Sequence, residues 1–447
     1  MDYKIFFLIF ILINISNQKS YLDNEELYRK YDSSYSNSNF NIRSIPALKD
    51  RSDFLNGLDC SMVSIIEENG GKYIDFDGQE RDFFELIKEN GINLVRIRLW
   101  NDYNSETGVK GGGCLDVDRV LNMALRAKNA GLKFLLDFHY SDNWADPGKQ
   151  DCPASWRNLD FNSAKKELEK FTRNTIEYFV SKGVDIDYVQ IGNEINNGFM
   201  HPFGIIEWNN LGNHKKALEE TLDNFSVLLN TAINAVKTTS PNTKIIIHVG
   251  DYALMTYHDS KTGKDIPSGL WFFQQLEKRN VNYEIAAASF YMYYHHKEGD
   301  YLDINTMTSS IDQFIDELGK PFILMEYSMA FTLKTHEYAE NQFGQEFSDL
   351  LKEEYPTSFQ GQTNKMLDIA EKVAKAKNNM GIGICYWGGD WLPVKGAGWG
   401  EISSTKSSWS NQALFTYEGV ASPTLAAMKS ITQGNLLHNK KLQNHIN

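Results

Sequence analysis

Several features that mark common classes of protein are missing or scarce in this chain of 447 residues. It has no run rich in lysine and arginine, and its acidic residues outnumber the basic ones to give a formal net charge of −13. Because a protein that binds the phosphates of nucleic acid needs a basic face, we expect no nucleic-acid partner. The four cysteines do not have the spacing of a zinc finger, so no metal ligand is assigned to them.

Long apolar runs are also scarce. The one candidate is IFFLIFILINI at residues 5–15, which follows Lys4 and is shorter than the roughly 20 residues that a membrane span needs. A basic start, a short apolar run and the small residues Ser16 and Ser20 are typical of a secretory signal peptide over residues 1–20. We therefore expect a secreted, extracellular protein that is not held in a membrane; the alternative is an uncleaved anchor.

The central part of the chain lacks a linker rich in proline or serine, so residues 51–431 are predicted to form one domain. Residues 21–50, with SSYSNSNFN near their centre, are predicted to be a flexible arm, and residues 432–447 a polar tail. Asn224 begins a sequon for N-glycosylation, which an exported protein can use if its host glycosylates.

Within the predicted domain, short apolar runs alternate with longer amphipathic stretches. Buried parallel strands have this length and these Gly, Pro, Asn or Lys boundaries. The eight runs are Phe54–Cys60, Leu94–Trp100, Lys133–Tyr140, Tyr188–Glu194, Lys244–Gly250, Ile285–Tyr291, Pro321–Tyr327 and Gly381–Trp387. Amphipathic stretches such as Val117–Ala130, Ala164–Ser181 and Lys215–Thr238 lie between them. The pattern predicts an α/β fold, a single (β/α)8 TIM barrel. A Rossmann-type sheet is disfavoured because no G-x-G-x-x-G follows the first strand.

Polar side chains stand at the ends of the predicted strands, where a barrel would otherwise hold Val, Ile or Leu. In such barrels the C-terminal ends of the strands carry the chemistry, and an unpaired buried charge is costly, so the pattern requires a functional reason. These residues are Asp59, Arg96, Arg98, Asp137, His139, Asn193, Glu194, His248, Tyr291, Glu326 and Trp387.

Two carboxylates in this set have the arrangement that glycoside hydrolysis needs. Glu194 and Glu326 each follow an apolar run, on predicted strands four and seven. Cleavage of a glycosidic bond uses one protonated carboxyl group for the leaving oxygen and one ionised carboxylate for the anomeric carbon. The alternative is that both are scaffold residues paired with Arg96 or Arg98. A chain with 13% aromatic residues also suits a carbohydrate ligand, because aromatic rings stack on the apolar faces of sugars.

Longer motifs around these residues resemble glycoside hydrolase family 53, the arabinogalactan endo-β-1,4-galactanases. The resemblance extends from about Leu58 to Phe415, with its motifs in the family's order. They are VRIRLWND (Val95–Asp102), DFHYSDNWADPGKQ (Asp137–Gln150), VQIGNEINNG (Val189–Gly198), YPTSFQGQ (Tyr355–Gln362) and NQALF (Asn411–Phe415).

The resemblance implies a retaining glycosidase of clan A type that cleaves β-1,4-galactosidic bonds in galactan or arabinogalactan side chains of pectin, without a cofactor. It assigns the acid/base to Glu194 and the nucleophile to Glu326. Asn193 would bond the sugar 2-hydroxyl. Tyr291 would hold the nucleophile, and a neighbouring Arg96 or Arg98 would keep it ionised.

Further residues are expected to bind substrate at the same end of the barrel. They are Asp59, Arg96, Arg98, His139, Trp144, His248, Trp387 and Trp391, and Trp409 is a further candidate for stacking. For His139 and His248 the alternative to a hydrogen bond with the substrate is that they tune a carboxylate. Asp137 is left out because it can lie one layer deeper. Some bacterial members of the family bind a structural calcium, for which Asp251, Asp259 or the acidic residues of Glu298–Asp303 could supply oxygens, but their spacing matches no ligand set.

Cys114 and Cys152 lie in the loops after strands two and three, and we predict a disulfide between them. Cys60 and Cys385 lie inside strands one and eight and are expected to be free, although a bridge between those strands stays open. A monomer is expected. Two other functions also stay open: another retaining β-glycanase, acting on mannan, xylan or β-glucan, and a barrel that binds polysaccharide without cleaving it.

Overall fold

Eight parallel strands form a closed barrel in the computed structural model, which describes residues 24–207, 215–260, 262–297, 300–400 and 406–433. Each strand is hydrogen-bonded to its neighbours in chain order, and the first pairs with the last. In chain order the strands are β1 (Leu55–Asp59), β2 (Leu94–Leu99), β3 (Lys133–Phe138), β4 (Tyr188–Ile191), β5 (Lys244–Val249), β6 (Ile285–Ser289), β7 (Phe322–Tyr327) and β8 (Gly381–Tyr386). All eight predicted strands are present, and the prediction of a (β/α)8 barrel is confirmed.

Helices connect the strands and cover the outside of the barrel. Their bounds are 24–31, Val63–Glu68, Phe83–Glu89, Val117–Asn129, Phe161–Ser181, Lys215–Thr239, Leu270–Lys278, Ile304–Leu318, Gln345–Leu351, Phe359–Ala374, Pro423–Ala427 and Lys429–Gln433. Several begin at an acidic residue whose side chain accepts a hydrogen bond from an otherwise unpaired backbone N–H, as Asp116 does from Arg119 and Asp160 from Ser163. Among the described residues, no helix is long and apolar enough to cross a membrane.

The barrel interior is layered, with apolar side chains below polar ones. Buried apolar side chains from seven strands form the lower layer: Leu55, Leu94, Leu135, Ile246, Ile285, Ala287, Ile323, Met325 and Cys385. Side chains two positions apart on a strand point to the same face. Leu94 is therefore followed by Arg96 inside the barrel, Leu135 by Asp137 and Ile246 by His248. The polar layer lies at the C-terminal ends of the strands, where the sequence placed the candidate site.

Strand β7 contains a bulge that changes the direction of its last side chains. Ala288 of β6 pairs with Leu324, but the next residue, Ser289, pairs with Glu326, so Met325 is an extra residue in β7. The pairing of β7 with β8 shifts at the same place. Bulges commonly redirect a side chain next to an active site. Here the extra residue lets Met325 stay in the apolar layer while Glu326 also faces the interior.

The segment expected to be a flexible arm is instead packed against the barrel over its described part, residues 24–50. Tyr28, Tyr31 and Tyr35 are buried in a cluster with Phe331, in the loop after β7, and Phe359, the first residue of the helix Phe359–Ala374. Tyr28 donates a hydrogen bond to the backbone oxygen of Ala421 at 2.6 Å, and Tyr31 to Glu418 Oε2 at 2.7 Å. The polar composition concealed three aromatic anchors whose partners lie about 300 or more residues away in the sequence. The predicted signal peptide and residues 434–447 of the tail lie outside the described residues.

Candidate active site

A cavity of about 820 Å³ opens at the C-terminal end of the barrel. Most of the residues predicted for the site line it: Asp59, Arg96, Arg98, His139, Trp144, Asn193, Glu194, Tyr291, Glu326 and Trp387. The barrel topology therefore brings together side chains that are separated by up to 328 positions in the sequence. Two predicted substrate-binding residues, His248 and Trp391, do not line the cavity.

Arg96 is the centre of the polar layer. Its guanidinium is fully buried and donates to side chains from four other strands or strand ends. The acceptors are Asp59 Oδ2 (3.1 Å), Glu326 Oε1 (2.8 Å), Asp137 Oδ2 (2.8 Å), Asn193 Oδ1 (2.7 Å) and Gln190 Oε1 (3.1 Å). Burial lowers the pKa of Arg96, but the surrounding carboxylates outweigh burial and raise it, so the group stays charged. A charge buried in the barrel is tolerated because every side of it is paired.

Glu326 is fixed through both of its carboxylate oxygens. Oε1 accepts from Arg96, and Oε2 accepts from the hydroxyl of Tyr291 at 2.9 Å. Burial raises the pKa of Glu326 to about 7, while Arg96 acts in the opposite direction. The carboxylate is thus oriented towards the cavity with a permanent cation on one side.

Glu194 has a different environment. It follows β4 in a left-handed backbone conformation (φ 49°, ψ 50°), two residues after Gly192, which also has a positive φ of 78°. Its Oε1 lies 2.5 Å from the hydroxyl of Ser289. Burial first, then the charges of Glu326 and Asp251, raise the pKa of Glu194 well above its usual range. The cation that stabilises the ionised form of Glu326 has no counterpart among the hydrogen bonds and ion pairs described for Glu194.

His248 lies behind the cavity wall and links three strands. It is fully buried, with Nδ1 2.9 Å from Asn193 Oδ1 and Nε2 3.0 Å from Ser289 Oγ. Burial, followed by the charge of Arg96, holds the pKa of His248 well below its usual range, so the ring is neutral. Alternation along β5 directs His248 inward, below the cavity floor, so it does not line the cavity.

Arg98, which lines the cavity, stacks on an aromatic ring. Its guanidinium carbon lies 4.0 Å from the centre of the Trp144 ring, and its Nη2 donates to the backbone oxygen of Gly112. Burial lowers the pKa of Arg98 to about 10. His139, which also lines the cavity, accepts hydrogen bonds at Nδ1 from Trp100 and the backbone of Ala145, and its Nε2 lies 3.3 Å from Asp137. These contacts fix the wall formed by the ends of β2 and β3.

Four tryptophans form much of the apolar surface of the cavity: Trp144, Trp387, Trp399 and Trp409. Trp391 was expected among them but is buried behind Trp387 and Trp409, at ring-centre distances of 5.6 and 6.3 Å. It supports the stacking surface rather than forming it, and it does not line the cavity. Trp399 was missed by the sequence analysis because it lies in a long loop with no strand to fix its direction.

The predicted disulfide between Cys114 and Cys152 is also wrong, since both residues are buried free thiols. Their surroundings differ: the backbone of Cys114 bonds to Gly111, whereas that of Cys152 bonds to His201. The two loops follow neighbouring strands but fold against different parts of the barrel. Cys60 and Cys385 are free as expected.

Two other expectations concern surface features. Asn224 is half-buried within the helix Lys215–Thr239, and Ser226 of its sequon is buried; its glycosylation stays a prediction. Of the oxygens considered for calcium, Asp251 pairs with His295 at 3.0 Å, and Glu298 lies outside the described residues. Among the described residues, no three His, Cys, Asp or Glu side chains form a group that could hold a metal ion.

Sequence reasoning missed several polar residues of the site. Gln190 joins Arg96 to Asp137, Ser289 contacts Glu194, and Asp251 and Tyr294 line the cavity. Gln190 and Ser289 were detectable, because each is a polar residue in or at the end of an otherwise apolar strand. Asp251 and Tyr294 lie in loops, where a polar or aromatic residue is common and carries less information.

A sequence model of glycosyl hydrolase family 53 matches residues 55–428 of this chain. The chain belongs to glycosyl hydrolase family 53. This membership makes it a glycosidase, and the two glutamates at the ends of β4 and β7 fit that class. The resemblance stated from the motifs is thereby confirmed.

Curated relatives of this family 53 glycosidase match most of its length. The endo-beta-1,4-galactanase of Bacillus subtilis is 29% identical over 86% of this chain and 87% of the relative. The arabinogalactan endo-beta-1,4-galactanase of Cellvibrio japonicus is 28% identical over 82% of this chain and 90% of the relative.

Solved structures give the same result. The family 53 catalytic domain of Ignisphaera aggregans is 34% identical to this glycosidase with a TM-score of 0.76, covering 88% of this chain and 99% of the other. A structure of fungal beta-1,4-galactanases is 26% identical with a TM-score of 0.64, covering 84% and 98%. The xylanase 10B of Thermotoga maritima, at 13% identity and a TM-score of 0.51, shares the fold alone.

Proposed function

We propose that this family 53 glycosidase is a secreted endo-β-1,4-galactanase that cleaves galactan or arabinogalactan side chains of pectin with retention of configuration. The observation that carries the proposal is the pair of carboxylates in one cavity: Glu326 contacts a cation, whereas Glu194 faces other carboxylates. The substrate class is supported by the names of the curated relatives, which are endo-β-1,4-galactanases. Secretion is supported by the signal-peptide pattern of residues 1–20.

In the first step of the proposed mechanism, Glu326 is the nucleophile and Glu194 the acid. An oxygen of Glu326 forms a bond to the anomeric carbon as the glycosidic C–O bond breaks, and Glu194 gives its proton to the leaving oxygen. Arg96 favours the ionised form of Glu326, and Tyr291 fixes its second oxygen. The protonated state of Glu194 is favoured by burial and by the negative charges near it.

In the second step the ester between Glu326 and the sugar is hydrolysed. Glu194, now ionised, removes a proton from water, the oxygen attacks the anomeric carbon, and the bond to Glu326 breaks. Glu194 is protonated again, and both carboxyl groups return to their initial states. Two inversions at one carbon give net retention.

The tryptophans support an elongated substrate. Trp144, Trp387 and Trp409 present ring surface in the cavity, and Trp399 lies at its edge with 42% of its surface exposed. Aromatic faces of this kind suit the apolar faces of pyranose rings. The endo mode is supported by the names of the curated relatives, which are endo-β-1,4-galactanases.

The proposal is tested by measuring reducing-sugar release from plant β-1,4-galactan by the purified wild type, Glu194→Gln and Glu106→Gln. Glu106 is a matched control, because it lies in the loop after β2 and its side chain is 76% exposed. We expect rapid release by the wild type and the control and almost none by Glu194→Gln. Mannan, xylan and β-glucan serve as parallel substrates. Release from one of these and not from galactan would overturn the proposed substrate.

Retention is tested separately by proton NMR of the first products. The anomeric signals of β-configured reducing ends should appear before mutarotation produces the α form. If α products appear first, the enzyme inverts, and the nucleophile role of Glu326 is lost even if galactan is the substrate.

A further inference from the structure

The hydroxyl of Ser289 lies between two groups that both compete for its single proton. Ser289 Oγ is 2.5 Å from Glu194 Oε1 and 3.0 Å from His248 Nε2. A serine hydroxyl can donate one hydrogen bond and accept two. The protonation states of Glu194 and His248 are therefore linked, and the remaining contacts of His248 decide how.

The orientation of the Asn193 side chain is fixed by its partners. Its Nδ2 donates to the backbone oxygen of Ala145 at 2.7 Å, and its Oδ1 accepts from Arg96 Nη2 at 2.7 Å. The Oδ1 atom therefore faces His248 Nδ1, 2.9 Å away. Since an amide oxygen can only accept, Nδ1 of His248 must carry a hydrogen.

His248 carries no second hydrogen in its neutral form, so its Nε2 presents a lone pair. The ring is fully buried, and the charged or titratable groups that face it are Arg96 on β2 and His139 on β3, neither of which favours an imidazolium. A lone pair at Nε2 requires a donor, and Ser289 is the group at hydrogen-bond distance. The Ser289 proton is thereby committed to His248.

We propose that His248 and Ser289 are positioning residues that hold the catalytic proton on Glu194 in the free enzyme. With its own proton directed to His248, Ser289 can only accept from Glu194, so the 2.5 Å contact is satisfied when Glu194 is protonated and donates. The inference rests on the proposed role of Glu194 as the acid. It adds a hydrogen-bond relay that runs from Asn193 through His248 and Ser289.

The relay also accounts for the second half of the reaction. Once Glu194 has given its proton to the leaving oxygen, Ser289 has two acceptors and one hydrogen, so one contact is lost. Return of a proton from water restores the complete relay, which favours Glu194 as the base in the second step. A buried acceptor without a donor costs free energy, so the ionised form of Glu194 is disfavoured.

Charges also act on Glu194, but they do not select a tautomer of His248. The acidic groups that face Glu194 are Glu326 from β7, Asp251 from the loop after β5 and Asp146 from the loop after β3. Asp251 is itself paired with His295. All three carboxylates favour a protonated Glu194 whatever the state of His248. The feature that distinguishes the relay from these charges is therefore which ring nitrogen of His248 carries the hydrogen.

The direct test is nitrogen NMR of the histidine rings in the wild type, assigned with His248→Gln. We expect His248 to be a neutral ring protonated at Nδ1 across the pH range of activity. A neutral ring protonated at Nε2, or an imidazolium, would overturn the inference. This measurement uses the free enzyme and needs no substrate, so it stands or fails independently of galactan cleavage.

The second test compares the pH dependence of kcat/KM for His248→Phe and His248→Gln. Phe removes the acceptor for Ser289, which frees its hydrogen for ionised Glu194, so the alkaline limb should move to lower pH. The loss of kcat/KM in His248→Phe, relative to the wild type, should be about tenfold greater at alkaline pH than at the optimum. Gln can donate to Asn193 and accept from Ser289, and should keep the wild-type limb. An equal loss at every pH for His248→Phe would show a merely structural role and overturn the inference.

Discussion

The surroundings of Glu326 and Glu194, the two glutamates proposed to be catalytic, differ in the sign of their nearest charge. Glu326 contacts the guanidinium of Arg96 and a tyrosine hydroxyl, one at each oxygen. Glu194 contacts a serine hydroxyl and faces the charges of Glu326 and Asp251. Both side chains are carboxyl groups at strand ends of one barrel, and both are buried enough for their pKa values to rise.

This difference shows how one type of side chain can take two roles. Burial alone favours the protonated form of both groups. The adjacent cation opposes the effect of burial at Glu326, the proposed nucleophile, and Glu194 has no neighbouring cation to do the same. The lower of the two pKa values therefore belongs to Glu326, the group on β7. Roles follow from environment rather than from residue type.

The largest loss of activity is expected from removing Glu326, the glutamate that contacts the cation. Glu326→Ala should lower kcat/KM on galactan by on the order of 10⁵-fold, because no group remains to form the glycosyl ester. Azide added to the variant should restore turnover of substrates with good leaving groups and give an α-glycosyl azide, since it attacks from the face that the carboxylate occupied. NMR of the azide product checks this. A β-glycosyl azide would assign the nucleophile to Glu194 instead.

A smaller and more selective effect is expected at the other carboxyl group. Glu194→Ala should lower kcat/KM on galactan by about 10³-fold, which is within the range for loss of a general acid. With an aryl galactoside whose leaving group needs no proton, the first step should remain fast, and a burst of phenol should precede slow turnover. Stopped-flow absorbance resolves the two phases. Equal losses on both substrates would contradict the acid role.

The difference between the surroundings of Glu326 and Glu194 can also be reduced by a substitution at a third residue, Arg96. Arg96→Lys keeps a positive charge, but a single ammonium cannot reproduce five hydrogen bonds to separate side chains. The pKa of Glu326 should rise towards that of Glu194. Because the nucleophile must be ionised, the acid limb of kcat/KM should then move to higher pH, and activity at the optimum should fall on the order of 100-fold. An acid limb that stays in place would show that Arg96 does not set the charge of Glu326.

Much of this arrangement could be predicted from the sequence. Buried parallel strands appear as short apolar runs, and eight such runs separated by amphipathic stretches define the barrel. A glutamate directly after an apolar run must lie at a strand end, so Glu194 and Glu326 were placed correctly in the cavity. Arg96 was also identifiable, since its neighbours Val95 and Ile97 make an arginine there unexpected.

Other features depend on contacts that alternation along a strand does not reveal. Ile323 and Met325 face the barrel interior, so alternation alone would direct Glu326 outward; the bulge in β7 reverses this. His248 was expected in the cavity because it stands near a strand end, but its depth depends on the register of β5 with β6.

The N-terminal segment was misjudged for a similar reason. Tyr28, Tyr31 and Tyr35 lie in a polar stretch, and their burial depends on Phe331 and Phe359, which only the folded barrel brings to them. Local composition indicates flexibility when a segment cannot bury enough apolar surface by itself. Here the apolar partners are supplied by the loop that follows β7 and by the helix Phe359–Ala374.

The smallest expected effect is on the stability of the fold, and it should differ in size between the two glutamates. The pKa of Glu194 is higher in the folded than in the unfolded chain, so the folded state binds the proton more tightly and stability falls as pH rises above the unfolded value of about 4.5. Glu194→Gln removes this fall, and its thermal unfolding midpoint should exceed that of the wild type increasingly from acidic to neutral pH.

For Glu326 the corresponding loss of stability begins above the unfolded pKa of about 4.5 and is complete near the folded pKa of about 7. Glu326→Gln also deprives Arg96 of a charged partner in a buried network, which is destabilising. We therefore expect Glu326→Gln to gain less stability than Glu194→Gln, or to lose some, when the midpoints are compared by calorimetry from pH 4 to pH 8. Equal gains in the two variants would mean that Arg96 stabilises the fold as well beside an amide as beside a carboxylate. The ion pair would then serve catalysis alone.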